Sequence, residues 1–137
     1  MVIITSSAAE RISDDILSTN DEILSISIMD MRGNILATKS KEYFRQVFGV
    51  TREGDKYGGT LAVAALAVAN EIKDIVGEAQ TIITIYKDCK MMLLPIPSYE
   101  ILVGFVLERS VNAESYNIAH KIERLLNDTI KSQDNNL

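Results

Sequence analysis

Several reactive residue types are scarce in this chain, and each shortage narrows what it can do. Cysteine occurs once, as Cys89, so no disulfide can close within the chain and a reducing cytoplasm is the expected compartment. Histidine also occurs once, as His120. One histidine and one cysteine do not make a metal site of the usual ligands, and no base stands beside a nucleophile in the way hydrolases need. Basic residues never gather into a cluster of five, and the net charge is −5. Nucleic acid is therefore not an expected partner, because duplex binding needs a basic footprint. Long apolar runs are missing too. The run LAVAALAVA at 61–69 is far short of the roughly 20 residues that span a bilayer, so membrane insertion is not expected. MVIITSSAAE at the start has a short apolar run with no basic region before it, unlike a signal peptide.

What is present is a chain of 137 residues, 47% of them hydrophobic. That suits one domain, placed at 1–131 with a frayed polar tail at 132–137, able to bury roughly two thirds of its unfolded surface. Ser6 or Ser7 is the expected cap of a first helix, with Glu10 completing a capping box and Ile12, Ile16 and Leu17 as its apolar stripe. In EILSISIMD, Leu24, Ile26 and Ile28 alternate with Ser25, Ser27 and Met29, a strand pattern that turns at DMRGN and resumes as ILAT. KEYFRQVFG places Tyr43, Phe44, Val47 and Phe48 on one face of a short helix over 41–48, with Gly49 as its cap. TREGDKYGG then reads as a mobile connection. AQTIITIY, MMLLPI and ILVGFVLE read as three further strands, with Pro95 expected at a strand end because proline cannot donate to a ladder. KDCK is their first turn. A closing helix, capped by Ser110 or Asn112, carries Ile118, Ala119, Ile122, Leu125, Leu126 and Ile130 at helical spacing.

The segment GGTLAVAALAVANEIKDIVG, 58–77, is the most informative. It is a helix with two apolar stripes. Leu61, Ala65, Val68, Ile72 and Ile75 form the one expected to face the sheet, and Ala62, Val63, Leu66, Ala67 and Asn70 form the other. A helix apolar on two sides is buried on two sides. One partner is the chain's own sheet; the second is expected to be another subunit. The predicted architecture is α+β, in the order helix, two strands, helix, three strands, helix. Its five-stranded antiparallel sheet carries the long helix on one face and the terminal helices on the other.

This order resembles the roadblock family of dynein light chains and GTPase-regulator domains over about 6–126. The residues that carry the likeness are ILSISIMDMRGNILATKS, with an acidic residue and a glycine at its turn, the small-residue helix LAVAALAVANEIKDIVG, and LLPIPSYEILVGFVLERS. The chain departs from that pattern in its YFRQVF insertion and its short first helix. The resemblance implies a roadblock/longin-like fold that dimerises through the long helix and the edge strand at 80–86. Val63, Leu66, Ala67, Asn70, Thr81, Ile83 and Ile85 would then form the interface. It further implies a non-enzymatic cytoplasmic scaffold, pairing with itself or a related roadblock-like subunit and binding a small Ras-like GTPase or anchoring a larger complex. Longin and profilin domains share much of the architecture. The alternative reading is a profilin/PAS-like ligand-sensing domain with a small molecule between sheet and helix.

Other features carry less. Gly54 and Gly59 have phosphate-loop spacing, but Thr60 stands where the lysine is needed and Leu61 where the hydroxyl is needed. No nucleotide or other cofactor is expected; capping of the long helix by Asp55 or Thr60, with the glycines as hinge and cap, explains the stretch. Cys89, flanked by Lys87 and Lys90 in a predicted turn, reads as an incidental exposed cysteine, with a redox-sensitive thiol whose pKa those charges lower as the alternative. Tyr43, Phe44 and Phe48 either cover one end of the sheet or dock a partner. Asp14, Asp15, Asp21 and Glu22 read as a solvated acidic face.

Overall fold

The computed structural model describes residues 4–44, 52–110, 120–128 and 131, with 52–58 described by their backbone alone. The strands come where alternation places them: β1 at Ile23–Asp30, β2 at Ile35–Ser40, β3 at Ile82–Ile85, β4 at Cys89–Ile96 and β5 at Ile101–Glu108. They form one antiparallel sheet in the order β2-β1-β5-β4-β3, so the first hairpin sits at one side and the last three strands continue the sheet from it. Leu24 is an extra residue between the pairs Ile23–Leu107 and Ser25–Val106. That bulge puts Ile23 on the same face as Ile26 and Ile28, although the spacing alone would put it on the other.

One face of the sheet is closed by two helices. Helix α1 (Ser6–Thr19) lies over β1 and β2, and its Ala8, Ala9, Ile12 and Ile16 share one core with Ile26, Ile28, Leu94, Val103 and Phe105, to which the helix that includes 120–128 adds Ile122 and Leu126. Ser13, buried on that side of α1, is satisfied by donating to the Ala9 carbonyl at 2.7 Å. The cap of α1 is one residue earlier than expected. Thr5 Oγ1 accepts from the Ala8 N–H at 3.1 Å, so Glu10 lies outside any capping box. At the other end, Asn20 Nδ2 donates to the Ile16 carbonyl, and Lys41 Nζ donates to the carbonyls of Asn20 and Asp21 at 3.1 and 2.8 Å. An ammonium there suits the negative end of a helix and ties the exit of β2 to α1. The polar pairs on β1 and β2 also find each other: Ser25 with Ser40 at 2.8 Å and Ser27 with Thr38 at 3.0 Å.

The other face carries the long helix. α2 runs over Arg52–Ala69, followed by a 3-10 turn at Asn70–Ile72 and a short helix α3 at Lys73–Val76. It starts well before Gly58, so the stretch expected to be a mobile connection is helical. The glycines assigned as hinge and cap, and the caps expected at Asp55 or Thr60, lie inside the helix instead. Gly77, at φ +88°, ends the segment, and its N–H donates to the Lys73 carbonyl at 2.8 Å.

Pro95 sits next to the end of β4, beyond Leu93, where the pairing with β3 stops. The expected helix over 41–48 is described only at 42–44. The expectations at Val47, Phe48 and Gly49, the cap at Asn112, the positions Ile118, Ala119 and Ile130, and the tail lie outside the described residues.

Candidate functional site

The rotation of α2 is set near its middle. Gly59 lies against Gly33 at the β1–β2 turn so closely that a Cβ on Gly59 would stand 2.2 Å from the Gly33 carbonyl oxygen. A Cβ on Gly33 would stand 2.7 Å from the Gly59 oxygen and 3.0 Å from Val63 Cγ2. Only glycine permits this approach, and Gly33 also has φ +87°, where other residues are strained. With Gly59 facing the sheet, the positions three, four and seven residues on face it too. Ala62, Val63 and Leu66, together with Ile82 of β3, pack against the buried Met29, Leu93 and Leu102.

That reverses the expected assignment of the two stripes. The stripe assigned to the core faces outward instead: Leu61 is 58%, Val68 72%, Ile72 54% and Ile75 83% exposed, and only Ala65 of that stripe is half-buried. Val63 and Leu66, expected to meet a partner, point to the chain's own sheet. Asn70 is half-buried and its Oδ1 accepts from the Ala79 N–H at 2.8 Å, holding the return loop to the end of the helix. Ala67 is exposed. Hydrophobicity could not choose between two comparably apolar stripes. The signal in the sequence was Gly59, which is in register with Val63 and Leu66 and needs a backbone to approach.

The turn that receives Gly59 is built on Asp30. Its carboxylate accepts from the Arg32 N–H at 2.8 Å, the Asn34 N–H at 3.0 Å and Asn34 Nδ2 at 2.9 Å, and the Gly33 N–H donates to the Asp30 carbonyl at 3.1 Å. Burial pushes the Asp30 pKa up, but the hydrogen bonds from Asn34 and Arg32, with the Arg32 charge, outweigh it and hold the carboxyl below its ordinary value.

Beside the helix lies the β3 edge. Ile83 is opposite Met92, a residue of the core on the face away from α2, so Ile83 and Ile85 project on that face too. They are 51% and 62% exposed, and Thr81 and Tyr86 are exposed next to them. The free edge of the sheet is thus flanked by apolar side chains on both faces: the outer stripe of α2 and α3 on one, Ile83 and Ile85 on the other.

No family model and no curated protein matches the sequence. Solved structures do match the fold. A Roadblock/LC7 domain from Streptomyces avermitilis aligns with a TM-score of 0.66 at 8% identity, over 90% of this chain and 92% of that one. The gliding protein MglB of Thermus thermophilus aligns at 0.69 and 12% identity, over 93% and 91%. The chain has a roadblock-type fold. An MglB in a tetrameric arrangement aligns at 0.66 and 13% identity, over 93% and 96%. Profilin II of Acanthamoeba castellanii aligns at a lower 0.58 and 13% identity, over 91% and 98%.

Within this roadblock-type fold the remaining candidate residues are scattered. Cys89 is not in the turn but opens β4, opposite Glu108, with a two-residue turn at Lys87–Asp88 before it. Burial, and then the charge of Asp88, push its thiol pKa up, the reverse of the lowering expected from the two lysines. The aromatic face is divided: Tyr43 is exposed, Phe44 is buried, and Phe48 lies outside the described residues. His120 is exposed. Gly54 and Gly59, the phosphate-loop candidates, fall within the continuous helix α2, which gives no loop to wrap a phosphate. Among the described residues, no helix is long and apolar enough to cross a membrane.

Proposed function

We propose that this protein is a non-enzymatic, self-associating scaffold or regulator that serves a small Ras-like GTPase or a larger assembly in the cytoplasm. The observation that carries this reading is the outward apolar stripe of α2 and α3 beside an exposed, apolar β3 edge. Apolar side chains this large and this contiguous are rarely left to water on a monomer. A second copy adding along β3 would cover both flanks of the edge at once: β3 would pair with its symmetry mate, Ile83 and Ile85 would be sealed on one face, and Leu61, Val68, Ile72 and Ile75 on the other. Such a contact is isologous, the same patch being used by both copies. The interface so revised keeps Ala67, Thr81, Ile83 and Ile85 and replaces Val63, Leu66 and Asn70 with the outer stripe. Roadblock-type neighbours support the reading, one of them an MglB in a tetrameric arrangement. The GTPase follows from the resemblance to GTPase-regulator domains of that family.

The alternative, a ligand held between sheet and helix, is disfavoured by packing: Val63 and Leu66 fill that space against Met29, Leu93 and Leu102. Sedimentation velocity at tens of micromolar tests the first part, with a dimer or higher species expected; a monomer overturns it. Capture of a GTPase by the purified protein, in a manner that depends on GTP or GDP, tests the second. Binding that ignores the nucleotide, or no GTPase at all, leaves only the scaffold.

A further inference from the structure

Among the described residues, the helix that presents the outward stripe makes few contacts with the sheet. Ala62, Val63 and Leu66 are half-buried over three residues of the sheet, and residues 71–78 are all exposed. Among the described residues, the closest approach of the helix to the sheet is the backbone contact between Gly59 and Gly33. A helix moves as a rigid rod over a few turns, so a displacement at Gly59 is carried to Leu61, two residues on, and to Val68. The position of Gly33 in turn depends on Asp30, whose carboxylate gathers three N–H donors and whose carbonyl takes the Gly33 N–H. Met31 and Arg32 at the tip of that turn are exposed.

We propose that the Gly33–Gly59 contact couples the β1–β2 turn to self-association: the shape of the turn sets where α2 lies, and thereby how its outer stripe meets a second copy. This rests on the self-association reading. Anything that grips Met31 and Arg32 and reshapes the turn then changes assembly from a place outside the interface.

Gly59→Ala is the decisive variant because intrinsic propensity acts the other way. Alanine in a helix interior is more favourable than glycine by roughly 1 kcal/mol, so a looser helix cannot come from propensity. The expected result is faster amide exchange over 62–69 with β5 amides unchanged, and self-association weaker by about tenfold, within the usual span of coupling between sites. Asp30→Ala, which changes no residue of the helix, is expected to act in the same direction and less strongly. It also keeps the test usable where Gly59→Ala fails to fold. Gly104→Ala is the control: its Cβ would meet only the flexible end of Met29 at 3.4 Å and a carbonyl at 4.0 Å, so exchange in α2 and association should not change. Unchanged exchange in α2 of Gly59→Ala overturns the contact as an anchor. Faster exchange with unchanged association overturns the coupling. A wild-type chain that is monomeric overturns the self-association reading and the coupling with it, while the exchange measurement still decides the anchor.

Discussion

The two faces of the sheet are built to different standards. Under α1 and the closing helix, Ile12, Ile16, Ile26, Ile28, Phe105, Leu107, Ile122 and Leu126 are each exposed by 1% or less, apart from Phe105 at 2%. Under α2 the buried set is Met29, Leu93 and Leu102, and the described residues of the helix add buried Gly59 and half-buried Ala62, Val63 and Leu66. The first face is a finished core. The second is a thin layer whose outer surface is as apolar as its inner one, the pattern expected where the chain depends on a second molecule to complete the burial. On the proposed reading, stability is built on one side of the sheet and self-association on the other.

The largest effect that sharpens this contrast should come from the finished side. Phe105→Ala is expected to cost about 3–5 kcal/mol, by loss of a buried ring and the cavity left behind, and thermal or urea denaturation reads it. Leu66→Ala, half-buried under α2, should cost less, about 1–3 kcal/mol; a loss as large as that of Phe105→Ala would make the two faces equal.

A pair of charge substitutions separates inner from outer stripe. Leu66→Glu puts a carboxylate against Met29 and Leu102 and should lower the unfolding midpoint even where the protein is monomeric. Val68→Glu, two residues away on the exposed side, should leave the monomer's midpoint alone and shift the sedimentation coefficient to that of a monomer at tens of micromolar. The converse pattern would return the stripes to the assignment expected from the sequence.

Much of the fold could be read from residues, and the failures have identifiable causes. Alternation in EILSISIMD and the continuous apolar stretches of ILVGFVLE marked the strands, because period two leaves one register that buries the isoleucines. Pro95 marked its own place by lacking a donor. The bulge at Leu24 was not legible, since nothing in the spacing distinguishes an extra residue from a strand start. The beginning of α2 was missed because Gly54, Gly58 and Gly59 argue against a helix locally, and propensity is a weak prior that tertiary contact overrides. The two stripes of α2 were assigned in reverse, the inner one outward and the outer one inward, for the reason Gly59 supplies. At Cys89, counting neighbouring lysines in sequence overlooked that the strand half-buries the thiol and that Asp88 stands beside it.

Smaller effects test that local reading. Asp30 is held below its ordinary carboxylate value of 3.8 by hydrogen bonds. A carboxyl depressed in the folded state contributes stability that is complete above the unfolded value and is lost as pH falls through the folded one. The stability difference between wild type and Asp30→Asn should therefore be constant near neutrality and shrink as pH drops below about 4; a difference that grows on acidification would show that the turn does not use the charge. The smallest effect expected is at Cys89. Its raised pKa means a lower thiolate fraction, so alkylation by iodoacetamide near pH 8 should be slower than for a free cysteine and slightly faster in Asp88→Asn.

Pro95 has a bearing on how far assembly can run. β3 covers β4 only as far as Leu93, so Pro95 and Ile96 lie past the end of the edge strand. A foreign strand arriving there finds a residue with no N–H to offer, and open sheet edges that lack such a block are where fibres start. Under the proposed self-association, growth by strand addition on this side is restricted to the four residues of β3, which a single symmetric partner would consume. The proline beside the opening would then act as a stopper, leaving room for one copy and giving an extended, misfolded chain no longer template to follow.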